Sequence, residues 1–365
     1  MAIHPTIPLL CAGIVVAAMA AGPAAAQTTP STETSQSAGS ASTEPAKPVG
    51  QAPSKENTAP AKAVSAVLSQ PGVLTPKGKL VLEPSLQFSY SSNYQVNLIG
   101  YTIVPAITIG LIDIQNVNQN NLVASLTARY GVTNRFELYA QVPYVYRKQT
   151  TEARPLGQGS TANDLFKATG YGVGDVQVGM RYQFNRGGAG SPYYIGALAV
   201  KTRTGKGPFS VPYSSLQGVQ NALQEDLPTG SGFYAVQPSL TVIYPTDPAV
   251  LFGGVNYLWN FKRDIHNGTI NGTVSPGDAF GLNFGMGIAL NAKASLSLAY
   301  EHTVVGQATV DGTTLQGSQT TQLGTLLMGF SYQVSPSTDY NLTLGAGLTR
   351  YTPDVQLTLR VPVTL

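Results

Sequence analysis

The chain has 365 residues, of which 11% are charged, and its formal net charge is +3. Soluble domains carry about 25% charged residues, so this composition argues against an ordinary soluble surface. A net charge this small and scattered also argues against a nucleic-acid-binding protein. The mean hydropathy is +0.02, which means that apolar residues are dispersed along the chain and not concentrated in one segment.

Residues 1–26 have the pattern of a secretory signal peptide. The apolar run IPLLCAGIVVAAMA leads into AGPAAAQ, which supplies small residues for cleavage near Ala26. MAIHP lacks Lys and Arg, but the alternative of an N-terminal membrane helix would need a longer apolar run. The single cysteine, Cys11, lies inside this segment. The mature chain would therefore contain neither a disulfide nor a thiolate metal site.

Residues 27–70 are predicted to be a disordered periplasmic linker. The stretch QTTPSTETSQSAGSASTEPAKPVGQ is rich in Pro, Ala, Ser and Thr and offers almost nothing to bury. A spacer explains this composition better than a docking segment does. The rest of the chain, residues 71–365, is predicted to form one β-barrel domain in the outer membrane.

From residue 79 onward, apolar and polar residues alternate with a period of two. This period indicates β-strands and not helices. The segments that follow it, each about 9–14 residues long, are 79–92, 122–130, 135–147, 174–184, 193–204, 232–244, 250–262, 280–291, 294–304, 322–334, 340–351 and 354–365. A tilted strand needs about 9–11 residues to cross a bilayer. The pattern therefore predicts an all-β fold, a transmembrane antiparallel up-and-down barrel of about twelve strands.

The connections between these strands alternate in length. Short turns are predicted at 131–134, 185–191, 245–249, 291–293 and 335–339, and long ones at 148–170, 205–231, 263–279 and 305–320. Short turns on one side and long loops on the other are typical of outer-membrane barrels. Segment 99–112 also alternates, but counting it as a spanning strand would give an odd total. We place it in the first long external connection.

The charged residues of these strands fall on the polar face. Arg or Lys on the lipid face costs about 2–4 kcal/mol at mid-depth, so the polar face should line the lumen. The predicted pore-lining residues are Glu83, Arg129, Arg135, Glu137, Arg147, Asp175, Arg181, Lys201, Glu301 and Arg360. Aromatic residues cluster near strand ends on the opposite face, where interfacial girdles form: Tyr144, Tyr146, Tyr182, Phe184, Tyr244, Trp259, Phe261, Phe330 and Tyr332.

Four stretches carry a family resemblance: EPSLQFSYSSN, LVASLTARYGVTNRFELYAQVPYVYR, GYGVGDVQVGMRYQF and VKTRTGKGPF. Over roughly residues 80–365 the chain resembles bacterial outer-membrane proteins labelled "MetA-pathway of phenol degradation". The resemblance implies a barrel that passes small compounds, aromatic ones among them. It carries over no catalytic residues. The terminal Leu365 departs from the aromatic residue with which such barrels usually end, and at which the insertion machinery starts to recognise them.

No motif predicts catalysis, a cofactor or a metal. His302 lies on the lipid face beside Tyr300, but HTV does not match the H-x-S-N run of outer-membrane phospholipases. The GVGD motif at 172–175 opens a strand and not a helix, so it is not a phosphate loop. GTINGTVSPGD and ATVDGTT hold too few carboxylates for calcium.

The sequence therefore predicts a passive outer-membrane channel that is not an enzyme. Its partners would be the lipid bilayer, small solutes and the barrel-insertion machinery, without nucleic acid. A plugged structural barrel whose loops at 148–170 and 205–231 bind a partner is the main alternative. A soluble secreted β-sandwich is the third, but sandwiches have no reason to segregate long and short connections.

Overall fold

The computed structural model describes residues 74–92, 112–155, 164–187, 190–216, 219–266, 271–315 and 318–365. The signal peptide, its cleavage near Ala26, the linker and all of segment 99–112 except its last residue lie outside these ranges. Those assignments stay predictions.

Nearly all regular structure in these ranges is β. The strands in chain order are β1 Leu80–Ser91, β2 Ile112–Thr133, β3 Phe136–Pro155, β4 Asp164–Val173, β5 Gln177–Gln183, β6 Tyr193–Lys201, β7 Tyr213–Leu216, β8 Val219–Gln224, β9 Ala235–Pro245, β10 Ala249–Asn260, β11 Arg263–His266, β12 Asn271–Ser275, β13 Ala279–Ala289, β14 Ala294–Val305, β15 Thr309–Val310, β16 Thr313–Thr314, β17 Thr321–Ser335, β18 Thr338–Gly347, β19 Val355–Arg360 and β20 Val363–Thr364. One short 3₁₀ turn, Pro208–Ser210, follows β6. Within the described residues, no helix is long and apolar enough to cross a membrane.

The long strands close into a barrel with twelve antiparallel strand positions. The ring runs β1, β2, β3, β5, β6, β9, β10, β13, β14, β17, β18 and β19, and it closes where β19 pairs with β1. β4 and β5 both pair with β3, one after the other, and together occupy one strand position of the barrel. β20 occupies the same strand position as β19, because it also pairs with β1 and β18. The twelve-stranded barrel that the alternation predicted is confirmed. Closure removes the unpaired strand edges that hydrocarbon could not satisfy.

The outer surface of the barrel is apolar. Residues of one parity, such as Leu126, Val178 and Leu357, point outward and are exposed. All nine aromatic residues assigned to girdles are exposed as well. Tyr144 and Trp259 lie toward one end of the barrel, whereas Tyr182 and Tyr332 lie toward the other. An apolar band with aromatic residues at both rims suits the hydrocarbon core and its two interfaces.

The two ends of the barrel differ. One end, the short-turn end, carries tight connections, of which Asn134–Arg135 and Pro336–Ser337 are two residues each. The opposite long-loop end corrects one expectation: most of the predicted loop 148–170 is strand. β3 runs on to Pro155 and β4 begins at Asp164, with Ala153 paired to Asp164. Strand pairing continues past the alternating segment, and it satisfies the backbone groups there.

The other predicted loops at this end also contain structure. Those at 263–279 and 305–320 fold into the hairpins β11–β12 and β15–β16, which join as one four-stranded sheet. The predicted strand 340–351 stops earlier, at Gly347, and the predicted strand 174–184 begins later, at Gln177, after a break that follows β4. In the connection between β6 and β9, the segment Leu227–Phe233 is buried. This inward-folded segment narrows the long-loop end.

Candidate functional site: the barrel lumen

Register places the inward-facing residues of neighbouring strands in level rows around the lumen. One such row passes from Ser125 to Pro143, and another passes from Glu137 to Arg181. The rows divide the lumen into two walls. We call the arc of β18, β19, β1, β2, β3 and β5 the charged wall, and the arc of β6, β9, β10, β13, β14 and β17 the apolar wall.

Two buried ion pairs hold the charged wall at the short-turn end. Arg129 Nη2 donates to Glu83 Oε2 at 2.9 Å, and Arg181 Nη1 donates to Glu137 Oε1 at 2.9 Å. Glu137 is fully buried. The Arg181 guanidinium also lies over the ring of Tyr139, 4.6 Å from its centroid. Buried charges that are paired in this way brace a wall, because removing one partner leaves the other uncompensated.

The structure places the remaining predicted pore-lining residues at several depths. Arg360 is buried and faces the lumen beside Asn341 and Ser85. Arg147 is buried near the long-loop end. Glu301 faces the lumen from the apolar wall, at mid-height, and is exposed. Arg135 lies in the turn between β2 and β3, outside the strands. The structure therefore does not bring all ten into one cluster.

Asp175 and Lys201 belong to a buried polar cluster under the inward-folded segment. Asp175 Oδ2 accepts the Ser231 backbone N–H at 2.7 Å and its hydroxyl at 2.6 Å, and Asp175 Oδ1 accepts the Gly205 N–H at 3.1 Å. Lys201 Nζ donates to Ser231 Oγ at 2.8 Å. A Cβ on Gly230 would come within 2.3 Å of Asp175 Oδ1. The break between β4 and β5 at GVGD thus positions the Asp175 carboxylate, which anchors the connection between β6 and β9.

The apolar wall contains two clusters of inward-facing hydrophobic residues. At the short-turn end they are Ile195, Ile243, Val250, Phe252, Ala299 and Leu327. At the long-loop end they are Ala235, Leu258, Ala279, Val305 and Leu323. The alternation of polar and apolar residues did not predict this wall. The signal was present in β10, where AVLFGGVNYLWN is apolar on both parities.

A segment before β1 enters the short-turn end. Leu74 is buried in the cluster around Ile243 and Phe252. The Thr75 backbone N–H donates to Glu137 Oε2 at 2.6 Å. A Cβ on Gly131 would come within 2.1 Å of the Pro76 carbonyl oxygen, so only glycine allows this approach. We call Leu74–Lys79 the strap. It bridges the two walls, because Leu74 packs on one and Thr75 bonds to the other.

The middle of the lumen is accessible to water. Inward-facing residues at mid-height are half-exposed or exposed: Ser85, Gln87, Ser125, Gln141, Asn283 and Glu301. Inward-facing residues such as Ile195 at one end and Val305 at the other are buried. The lumen therefore holds a wet central section between two narrower ends.

The described residues do not assemble a catalytic or metal site of the kinds considered. His302 Nδ1 shares a hydrogen bond of 2.9 Å with the Tyr300 hydroxyl on the outer face. Within the described ranges, no three His, Cys, Asp or Glu side chains lie close enough to hold a metal ion. The lumen remains the candidate site.

Comparison with known proteins places this barrel in a family. A family model described as "Putative MetA-pathway of phenol degradation" matches residues 115–364, more than half of the chain. The chain belongs to this family. The resemblance stated from the sequence is thereby confirmed.

Solved structures share the fold. The COG4313 outer membrane channel from Pseudomonas putida F1 superposes with a TM-score of 0.55 at 16% identity, covering 80% of this chain and 97% of that chain. The translocator domain of autotransporter NalP from Neisseria meningitidis (TM-score 0.44, 10% identity, 80% and 88% covered) is more distant. So is the toluene transporter TbuX from Ralstonia pickettii (0.39, 10%, 80% and 90%). The first likeness shows the fold, and the other two carry no argument about function.

Proposed function

We propose that this protein is a passive outer-membrane channel for small, hydrophobic or aromatic solutes, and not an enzyme. The observation that carries the proposal is the two-walled lumen with a wet central section. An apolar wall opposite a charged wall suits a solute with an apolar body and a polar group. The short-turn end would face the periplasm, as in other outer-membrane barrels. The charged residues of the wall would bias which solute passes.

Planar bilayers test the channel. We expect discrete conductance steps from the purified protein and partial block of the current by phenol, with less block by glucose at equal concentration. Phe252→Ala removes an aromatic ring from the apolar wall and should weaken the phenol block. Leu251→Ala is the matched control, because Leu251 points outward from the next position of β10. Equal block by both solutes would count against an aromatic solute.

A plugged barrel that binds a partner through its loops is the second candidate. It is favoured by the burial of Leu227–Phe233 and by the strap, which narrow the two ends. Silent bilayers with correctly folded protein would support this candidate and contradict the channel.

A further inference from the structure

Three inward-facing residues lie side by side at the long-loop end of the charged wall. Asn121 on β2 pairs with Ser89 on β1 and with Arg147 on β3, so the three side chains form one level row. Each residue is only 1% exposed. We call these residues the donor row. They lie apart from the two ion pairs at the short-turn end.

The donor row presents hydrogen-bond donors that have no partner. Asn121 Oδ1 accepts from Gln119 Nε2 at 3.2 Å, which leaves the Asn121 Nδ2 amide unpartnered. Arg147 Nε and Nη2 and the Ser89 hydroxyl are buried and unpartnered as well. Buried polar groups in folded proteins nearly always have a hydrogen-bond partner. The row is therefore short of an acceptor.

The charges around Arg147 also indicate that the donor row lacks an anionic partner. Arg129 and Arg181 each have a carboxylate at 2.9 Å, whereas Arg147 forms no ion pair with any described residue. Asp175, the carboxylate whose field reaches Arg147, is already held by Ser231 and Gly205. A buried guanidinium without a hydrogen-bonded anion is strongly unfavourable.

The geometry of Arg147 narrows the class of ligand. Nε and Nη2 lie on one edge of the guanidinium, the edge that binds both oxygens of a carboxylate side by side. A carboxylate only accepts hydrogen bonds, so it matches a row that supplies donors. The inward-facing Val145 precedes Arg147 on the same face, and Leu227 lies against Gly170, the β4 partner of Arg147. These apolar neighbours suit the body of a small organic acid.

We propose that the donor row binds the carboxylate of a small organic acid, with Arg147 as the main ligand. Treating that acid as a transported solute rests on the proposed channel function, but the site itself is tested by binding alone. A binding measurement on solubilised protein needs no open pore, so the two proposals fail separately.

The test is equilibrium binding of benzoate to the purified full chain in detergent, at constant ionic strength set with chloride. We expect one saturable site, displaced by acetate and not by benzyl alcohol, which lacks the carboxylate. Arg147→Gln should weaken benzoate binding about ten- to a hundredfold, because it removes charge-assisted hydrogen bonds. Arg147→Lys keeps the charge but loses the two-nitrogen edge, so its affinity should fall in between.

Gln87→Leu is the matched control, because Gln87 faces the lumen two positions from Ser89 on β1. Its benzoate affinity should equal that of the wild type. Heat-modifiable gel mobility shows which variants fold; if Arg147→Gln does not, Asn121→Leu and Arg147→Lys give the same readout. The absence of saturable benzoate binding to the wild type, or equal displacement by benzyl alcohol, would overturn the proposal. So would unchanged affinity in the folded Arg147 variants.

If benzoate binds and the bilayers stay silent, the channel fails and the site stands. If the bilayers conduct and benzoate does not bind, the channel stands and the site fails.

Discussion

The charged wall and the apolar wall of the lumen are held in place by different forces. The charged wall depends on specific partners, such as Arg181 with Glu137, whose geometry fixes one arrangement. The apolar wall depends on packing among residues such as Phe252 and Leu327, which tolerate exchange for groups of similar volume. Loss of a charged group should therefore be severe on the charged wall and mild on the apolar wall.

The largest expected effect comes from removing a carboxylate on the charged wall. Glu137→Gln leaves Arg181 buried without its anion, so the free energy of unfolding should fall by about 3–5 kcal/mol. Glu301→Gln is the control, because Glu301 faces the same lumen from the apolar wall, exposed at mid-height. Its effect should stay within about 0.5 kcal/mol. Guanidine-induced unfolding in lipid vesicles measures both, and equal losses would remove the distinction between the walls.

The second largest effect is expected when an arginine is placed on the outer face of the barrel and not on the lumen face. Leu126→Arg places a cation among lipid tails and should destabilise the barrel by about 2–4 kcal/mol. Ser125→Arg, one position away, points into the wet central section and should assemble almost as well as the wild type. The fraction that folds into vesicles, read from gel mobility before and after heating, compares them. Efficient assembly of Leu126→Arg would contradict a lipid-facing outer surface.

A smaller effect is expected where the strap joins the two walls. Leu74→Ala should weaken the packing of the strap against the apolar wall by about 2 kcal/mol. This is near the lower end of the cost for buried leucines, because a chain segment outside the strands relaxes easily. We expect larger or more frequent conductance steps in planar bilayers. Lys77→Ala serves as the control, since the Lys77 side chain is exposed. Unchanged currents for Leu74→Ala would show that the strap does not restrict the pore.

Much of this fold could be predicted because a period of two is a local property of the sequence. Strands such as Leu80–Ser91 and Ala294–Val305 follow the alternation closely, and Glu83 and Arg129 fall on the lumen parity that the pattern gave them. Long-range partners are not local. Nothing in the chain around Asp175 predicts that Ser231 donates to it, 56 residues away.

The apolar wall and the strap escaped prediction for a related reason. Alternation identifies a wet face only when that face is polar, and β10 carries Phe252 on its lumen side. Leu74 precedes the first alternating strand, and the residues that it packs against come from several strands that meet only when the barrel closes. The burial of Leu227–Phe233 had a weaker signal, the small residues of PTGSGF, which allow close backbone approach.

The most direct test of the account places spin labels one at a time along residues 122–126 of β2 in vesicles. Leu122, Ala124 and Leu126 are exposed on the outer face, whereas Val123 and Ser125 are half-exposed to the lumen. We predict that collision with oxygen, which concentrates in lipid, peaks at 122, 124 and 126, and that collision with a water-soluble nickel chelate peaks at 123 and 125. Equal accessibility at neighbouring positions would contradict a barrel with lipid outside and water within.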